Sequence, residues 1–404
     1  VTTDPAARSR RDVLGLLAAT PVAAALAFPE PARAQAGSAD SADTAGVVPK
    51  DLRPGGAFDR HIAEQAAQGR FTGTVLLAHR GRAVLSRSHG LANARPEIAN
   101  GPDTIFALAS VGKVITAVAA VQLAQQGALR LYDKLGAYVD GFPAQAADHI
   151  TVHQLITHRS GLGEYQHTDA YLRESPTWTS AEEVMAGITA IIRQLPPAFV
   201  PDARTAYSNS GYHLLGEVVA RASGMPYHDY VRRHVFAPAG MATADFYTKA
   251  QWRDDPRIAH PFTVTPTGER VDVVEQKNFI GTPAGNSFAS APDMVAFLRA
   301  LVGERLLDRA HTALALSGKW ASRWTDSRDV PAMDVFGGYG PNTAIVNNHR
   351  VLFHNGGIVG QSTFVEHYPD LDLTTVVLGN SDAPGTSPIV HFAREVITAA
   401  PPRH

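Results

Sequence analysis

Apolar residues recur along this chain with two different spacings, and the switch between them outlines its elements. Within residues 73–89 the runs Val75-Leu76-Leu77 and Ala83-Val84-Leu85 flank Arg80-Gly81-Arg82. Two short apolar runs about a glycine-containing turn predict a β-hairpin. From Ser110 the spacing lengthens: Val114, Ile115, Val118, Val121 and Leu123 return at helical intervals until Gly127. That predicts a buried helix of about four turns beginning at or near Ser110. Ser180-Ala181-Glu182-Glu183 reads as a capping box opening a helix through Ile192. Residues 212–222 and 290–301 are further helical stretches, the second with Ser290 as cap and Pro292 in its first turn. Toward the C-terminus, residues 344–346, 351–354, 362–367 and 373–378 are short β-rich runs separated by Asn, Gly and Asp. Strands at both ends with helices between imply an α/β (α+β) fold. It consists of an antiparallel sheet closed by distant chain segments and flanked by helices, with an all-helical subdomain inserted at roughly 115–275.

The first residues follow neither pattern. Ser9-Arg10-Arg11-Asp12-Val13-Leu14 leads into a nearly apolar stretch over 15–28, and Ala32-Arg33-Ala34 follows. A basic start, an apolar middle and small residues at the cleavage positions predict a signal peptide over 1–34, cut after Ala34, and the paired arginines resemble the twin-arginine type. The stretch is short for a membrane span and Pro21 interrupts it. Residues 35–55, rich in Ala, Ser, Asp and Gly, predict a flexible linker, and 56–400 the folded domain. The expected location is periplasmic or secreted, with no membrane span.

Composition narrows the chemistry. Among 404 residues there is no cysteine, which removes disulfides, thiolate metal sites and cysteine nucleophiles. A formal net charge of −2 gives no overall field favouring nucleic acid. Of the 36 basic residues only Lys50, Lys113, Lys134, Lys249, Lys277 and Lys319 are lysine. A chain that writes arginine wherever a plain charge suffices hints, at a lysine, that an amine able to lose its proton is wanted.

Three constellations carry candidate chemistry. In Ser110-Val111-Gly112-Lys113 the two polar residues are three apart, one turn along the same helix face. The amine can reach the hydroxyl, and apolar Val111, Val114 and Ile115 make its neutral form accessible. Lys113 is the only lysine with Ser three before it. Tyr207-Ser208-Asn209 offers a phenol for proton transfer and an amide that can both donate to and accept from a substrate amide. His354-Asn355-Gly356-Gly357 ends a strand run from Val351, and its glycines would let a substrate backbone approach, with the Gly357 N–H aimed at a developing oxyanion.

In this order the three motifs resemble the serine β-lactamase and penicillin-binding-protein superfamily, in the branch holding class C β-lactamases, DD-peptidases and related esterases. The stretches 104–109, 150–162 and 283–290 resemble that family's approach strand, its helix-and-turn segment and its return into the sheet, so the likeness runs from about 58 to 397. The resemblance implies a β-lactamase/DD-peptidase-like fold and an acyl-enzyme mechanism without cofactor or metal. It implies Ser110 as nucleophile, Lys113 as its activating partner, and Tyr207 as general base and later acid, with the choice between Lys113 and Tyr207 as the group that takes the serine proton left open. It implies Asn209 orienting the substrate amide, His354 holding substrate or tuning Tyr207, and an oxyanion hole from the N–H groups of Ser110 and Gly357. The expected partner is a small-molecule or peptide acyl substrate; oligomeric state stays open.

Two departures matter. No Lys-Thr-Gly occurs, so His354 stands where class C β-lactamases carry a fixed positive charge for the antibiotic carboxylate, with Arg323 or Arg350 as the alternative source of charge. Asp202 replaces a glycine usual after Pro201. The motifs favour a D-alanyl-D-alanine carboxypeptidase-like or esterase-like hydrolase, with a β-lactamase, or a penicillin-binding sensor that acylates without turnover, as alternatives. A metal hydrolase is disfavoured because seventeen histidines include no His-Glu-x-x-His. An α/β-hydrolase is disfavoured because no Gly-x-Ser-x-Gly occurs. Specificity is expected to reside in pocket walls from residues 164–178 and 319–340.

Overall fold

The structure, a computed structural model, describes residues 48–265, 267–322, 334–382 and 385–399. The predicted signal peptide and residues 35–47 of the predicted linker lie outside them. The remainder of that linker is part of the fold: Lys50–Leu52 form a turn of 3₁₀ helix and Leu52 is fully buried, because its side chain completes an apolar cluster with Phe58 and Ile62.

The predicted hairpin is present. Strands β1 (Gly73–His79) and β2 (Arg82–His89) pair antiparallel across Arg80-Gly81. Both turn residues have positive φ, 52° and 76°, the pattern of the tight hairpin turn that matches strand twist. The other strands of the sheet come from the far end of the chain: β3 (Trp320–Ser322), β4 (Asp334–Gly337), β5 (Asn342–Val346), β6 (His349–Ile358), β7 (Gln361–Tyr368) and β8 (Leu373–Gly379). The order is β2-β1-β8-β7-β6-β5-β4-β3, with antiparallel pairing throughout, so β1 joins β8 across nearly the whole sequence.

Both faces of this sheet are covered, which explains why its strands read as apolar runs rather than strict alternation. Val75, Leu77, Phe353, Phe364 and Val377 pack under helices α1 (Ala57–Ala67) and α6 (Thr386–Thr398). Their neighbours Leu76, Ala78, Leu352, Val365 and Val376 face the opposite core, shared with α2 (Gly112–Gln125), α3 (Ala181–Gln194), α4 (Asn209–Ser223) and α5 (Ala291–Val302).

Helix α2 is the centre of that second core. Every residue from 112 to 123 is buried, as expected of a helix apolar all round. Its polar exceptions are each satisfied. Thr116 Oγ1 lies 2.7 Å from both the Tyr227 hydroxyl and the Pro283 carbonyl, and Gln122 Nε2 donates to His234 O and Leu306 O. Lys113 is the third.

Four expectations are corrected in detail. At α3, Ser180 caps Glu183 N–H, but the Glu183 carboxylate turns to the Thr179 N–H and hydroxyl rather than closing the box. The strand bearing His354 continues to Ile358, because Gly356 and Gly357 pair with Thr363 and Ser362 of β7. Residues 283–290 do not re-enter the sheet: Phe288–Ala289 pair with Phe106–Ala107 in a separate two-stranded ribbon. The inserted region is not all helical, since Phe262–Val264 and Arg270–Asp272 form a small hairpin. Among the described residues no helix is long and apolar enough to cross a membrane.

Candidate active site

Ser110 sits where the ribbon meets helix α2. A turn of 3₁₀ helix, Ala109–Val111, precedes the helix, and Ala109 has φ 46°, a left-handed conformation that costs a non-glycine residue about 1 kcal/mol or more. The surroundings hold it there: Leu108 N–H donates to Ser287 O (2.8 Å), Asn286 N–H to Ala109 O (3.0 Å) and the Thr363 hydroxyl to Leu108 O (2.9 Å). The turn lies against β6 so closely that a Cβ at Gly356 would fall 2.7 Å from both Leu108 O and Ser110 N. The room left by Gly356 is therefore filled by the nucleophile's own turn. At Gly357 a Cβ would meet nothing nearer than 3.9 Å, and this position lines the open cleft.

The spacing of three brings Lys113 Nζ to 3.2 Å from Ser110 Oγ. The same amine donates to Asn209 Oδ1 (2.8 Å) and to the Ala284 carbonyl, so three acceptors meet the three donors of an ammonium. It lies 4.7 Å from the centre of the Tyr207 ring and 5.6 Å from that of Tyr212. Burial pushes the Lys113 pKa down to about 7, partly opposed by the Glu164 carboxylate.

Tyr207 approaches from the other side, its hydroxyl donating to Ser110 Oγ at 2.6 Å. Half of this residue is exposed, yet its hydroxyl end is enclosed, and desolvation there raises its pKa to about 12. It is held by the start of α4. Ser208 is the N-cap, its Oγ accepting Gly211 N–H, and the Ser208 N–H donates to His158 Nδ1. The His158 ring, 4.6 Å from that of Tyr207, is kept neutral by burial with Lys113 and His354 nearby. Asn209 donates its N–H to Glu164 (2.8 Å) and its Nδ2 to Gln166 Oε1 (2.9 Å). One amide hydrogen of its side chain is left for a substrate.

His354 is buried, and its Nδ1 is 2.7 Å from the Asn355 carbonyl. A carbonyl can only accept, so Nδ1 carries the proton and Nε2 is an acceptor. Burial and the nearby Lys113 push its pKa down to about 4, so at neutral pH the ring carries no charge. The pairing of β5 with β6 ends at Asn342–Phe353. Residues 354–358 thus present a local strand edge in the middle of the sheet.

Ser110 lies between two lobes of the cleft, each of about 620 Å³, and Ser110, Tyr207 and Gly357 line both. One lobe is walled by Thr205, Trp320, Asn342, His354 and Asn355. The other is walled by Gln166, Tyr171, Asn209, Lys277 and Asn278. The loops expected to form the walls do contribute, with Tyr165 and Pro176 from the first and Trp320 and Gly340 from the second. Arg323 lies outside the described residues. Arg350 lines neither lobe, because its guanidinium donates to the Leu316 carbonyl.

The structure thus brings together Ser110, Lys113, Tyr207, Asn209, His354, Gly356 and Gly357. Sequence reasoning missed Glu164, Gln166, His158 and the Ala284 carbonyl, which meet the motifs only through tertiary contacts. It also left Asp202 unexplained. That residue has φ 68°, and its carboxylate accepts from Arg159 Nε (2.9 Å) and Gln154 Nε2 (2.5 Å). These side-chain bonds hold in place a backbone conformation that glycine adopts freely. Among the described residues, no group of three or more His, Cys, Asp or Glu is placed to hold a metal ion.

Comparisons with known proteins bear on the family and the fold. A family model described as Beta-lactamase matches residues 58–400. Penicillin-binding protein 4* of Bacillus subtilis is 27% identical over 326 residues, covering 77% of this chain and 68% of that protein. The D-alanyl-D-alanine-carboxypeptidase/endopeptidase AmpH of Escherichia coli is 30% identical over 177 residues, or 42% of this chain and 44% of its own. The chain therefore spans about two thirds of the first relative and under half of the second. Among solved structures, a penicillin binding protein from Bacillus halodurans superimposes with a TM-score of 0.72 at 25% identity, covering 83% of this chain and 99% of that one.

Proposed function

The chain belongs to the Beta-lactamase family and is a serine hydrolase of that superfamily, and from that premise we propose that it cleaves small esters or D-alanyl-D-alanine-type peptides through an acyl-enzyme on Ser110. The observation that carries this reading is the position of Ser110 Oγ, 3.2 Å from Lys113 Nζ and 2.6 Å from the Tyr207 hydroxyl.

The two pKa values divide the labour. With its pKa near 7, an appreciable fraction of Lys113 is neutral at physiological pH, whereas Tyr207, near 12, keeps its proton. The motif resemblance favoured Tyr207 as base; these values favour Lys113. Neutral Lys113 takes the Ser110 proton as Oγ attacks the carbonyl, and the N–H groups of Ser110 and Gly357 receive the oxyanion. Tyr207 then gives its proton to the leaving group, and the adjacent ammonium of Lys113 stabilises the phenolate and restores that proton. A water repeats the sequence on the acyl-enzyme. The substrate backbone lies along the free edge at 354–358, with Asn209 on the acyl side and His354 on the leaving-group side.

Because the base must be neutral, kcat/KM is expected to rise with pH through about 7 and level off above it. Lys113→Arg keeps the charge but not the ability to lose it, and its activity should be nearly as low as that of Lys113→Ala. A flat pH profile, or an Arg variant as active as wild type, would remove Lys113 from the role of base.

A neutral His354 offers a β-lactam carboxylate no ammonium. A charge-assisted hydrogen bond contributes about 1.5–3 kcal/mol against about 1 for a neutral one, a difference of about tenfold in binding. The enzyme is expected to prefer a nitrophenyl ester to nitrocefin in kcat/KM, and His354→Lys to gain about tenfold on nitrocefin. A wild-type preference for nitrocefin would put the β-lactamase reading in its place. A single stoichiometric burst without further turnover on every substrate would indicate a sensor.

We further propose that the protein is exported, on the strength of the basic, apolar and Ala-x-Ala order of residues 9–34. The exported form should begin near Gln35, and Arg10→Lys with Arg11→Lys should retain precursor inside the cell. Export unaffected by that double change would point to the general secretory route instead.

A further inference from the structure

One cation in the cleft has no place in this chemistry. Lys277 lines the Asn209-side lobe and, among the described residues that line it, is the only one with a fixed charge. No described residue lining the His354-side lobe carries a fixed charge. Lys277 is 9% exposed, and its ammonium donates to the Val359 carbonyl, itself part of the same wall. Asp382 is near enough to favour the charged form, but its carboxylate accepts from the Thr263 hydroxyl and forms no ion pair with the lysine. Two of the three ammonium hydrogens therefore have no partner among the described residues. A partly desolvated ammonium in a cleft wall gains from a carboxylate partner, which supplies charge-assisted hydrogen bonds. The chain elsewhere writes arginine in 30 of 36 basic positions, and here it keeps the compact ammonium. Burial lowers its pKa only to about 8, so the charge persists at neutral pH.

We propose that this lobe takes an acyl group carrying a carboxylate, and that Lys277 selects it. The inference rests on the acyl-transfer reading and deepens it by naming the acyl part of the substrate: esters or amides of dicarboxylic-type acyl groups. Leu172, Ile358 and Val359, exposed at the rim of the lobe, would cover the methylene chain between the scissile carbonyl and the distal carboxylate.

The test compares mono(4-nitrophenyl) esters of adipic and pimelic acids with the same esters methyl-capped at the far carboxylate. The wild type is expected to favour the free acid of at least one chain length by about tenfold in kcat/KM. Lys277→Met should bring that ratio close to one, Lys277→Arg should keep it above one, and Lys277→Glu should invert it. Were Lys277 only a tether for Val359, each variant would slow both members of a pair alike and leave the ratio unmoved, which would overturn the proposal. So would a wild-type ratio of one at both lengths. Hydrolysis of the capped esters by wild type but not by Ser110→Ala reports separately on the underlying reading. Failure there sinks both, whereas a ratio of one with active capped esters sinks only this inference.

Discussion

Ser110→Ala is expected to lower kcat by about 10⁴-fold or more on any ester the wild type turns over, because it removes the bond-forming atom rather than one of its helpers. Lys113, Tyr207 and the candidate oxyanion donors remain in the variant, but without an Oγ they have nothing to activate. A residual rate over water from binding and the oxyanion site alone is compatible with this. The structure should survive the change. Ser110 Oγ is held by Lys113 and Tyr207 and not by the backbone, while the strained Ala109 turn is fixed by main-chain bonds and by Thr363. A fluorophosphonate should label the wild type at Ser110, read by mass spectrometry of the peptide, and leave the variant unlabelled. An adduct on another serine, or an Ala variant within tenfold of wild type, would overturn the assignment.

What was legible in the chain follows from how local each feature is. Ser110 and Lys113 meet because three residues make about one helical turn, and helix α2 was visible because all but a few of its residues are apolar or small. The hairpin was visible because Arg80-Gly81 supplies the two positive φ angles that a tight turn requires. The continuation of β6 past His354 was hidden, since glycines are poor strand formers and only their pairing with Thr363 and Ser362 holds them extended. Glu164, Gln166 and the Ala284 carbonyl were out of reach for another reason. Each bonds Lys113 or Asn209 across at least 43 residues of sequence, and nothing in their local pattern marks it. Gly356 carried a signal that was read correctly as close approach, but the approaching backbone is the protein's own.

Removing the carboxylate of Glu366 is expected to destabilise the fold by about 3–5 kcal/mol, the cost of taking one partner out of a buried ion pair. Glu366, fully buried on β7, faces the core beneath α6, where Arg394 donates to its Oε1 through both Nε (2.9 Å) and Nη2 and the Tyr368 hydroxyl donates to its Oε2. Phe353 and Phe364 pack against the guanidinium, with ring centres 5.9 and 6.0 Å away, so water has little room to replace the lost carboxylate. At about 2.1 cal/mol/K per residue over roughly 350 folded residues, Glu366→Ala should lower Tm by about 4–7 °C. The network lies on the face of the sheet opposite helix α2, so activity per folded molecule should be unchanged below the transition. Replacing Glu366→Leu, Tyr368→Phe and Arg394→Met together removes the ion pair and the hydroxyl bonded to it. It should recover most of the loss, because apolar packing competes well with a buried ion pair once neither of its two charges is left behind. A calorimetric Tm for Glu366→Ala within 1 °C of wild type would mean the guanidinium finds water or another acceptor. A triple variant less stable than the single one would mean the ion pair is worth more than the desolvation it requires.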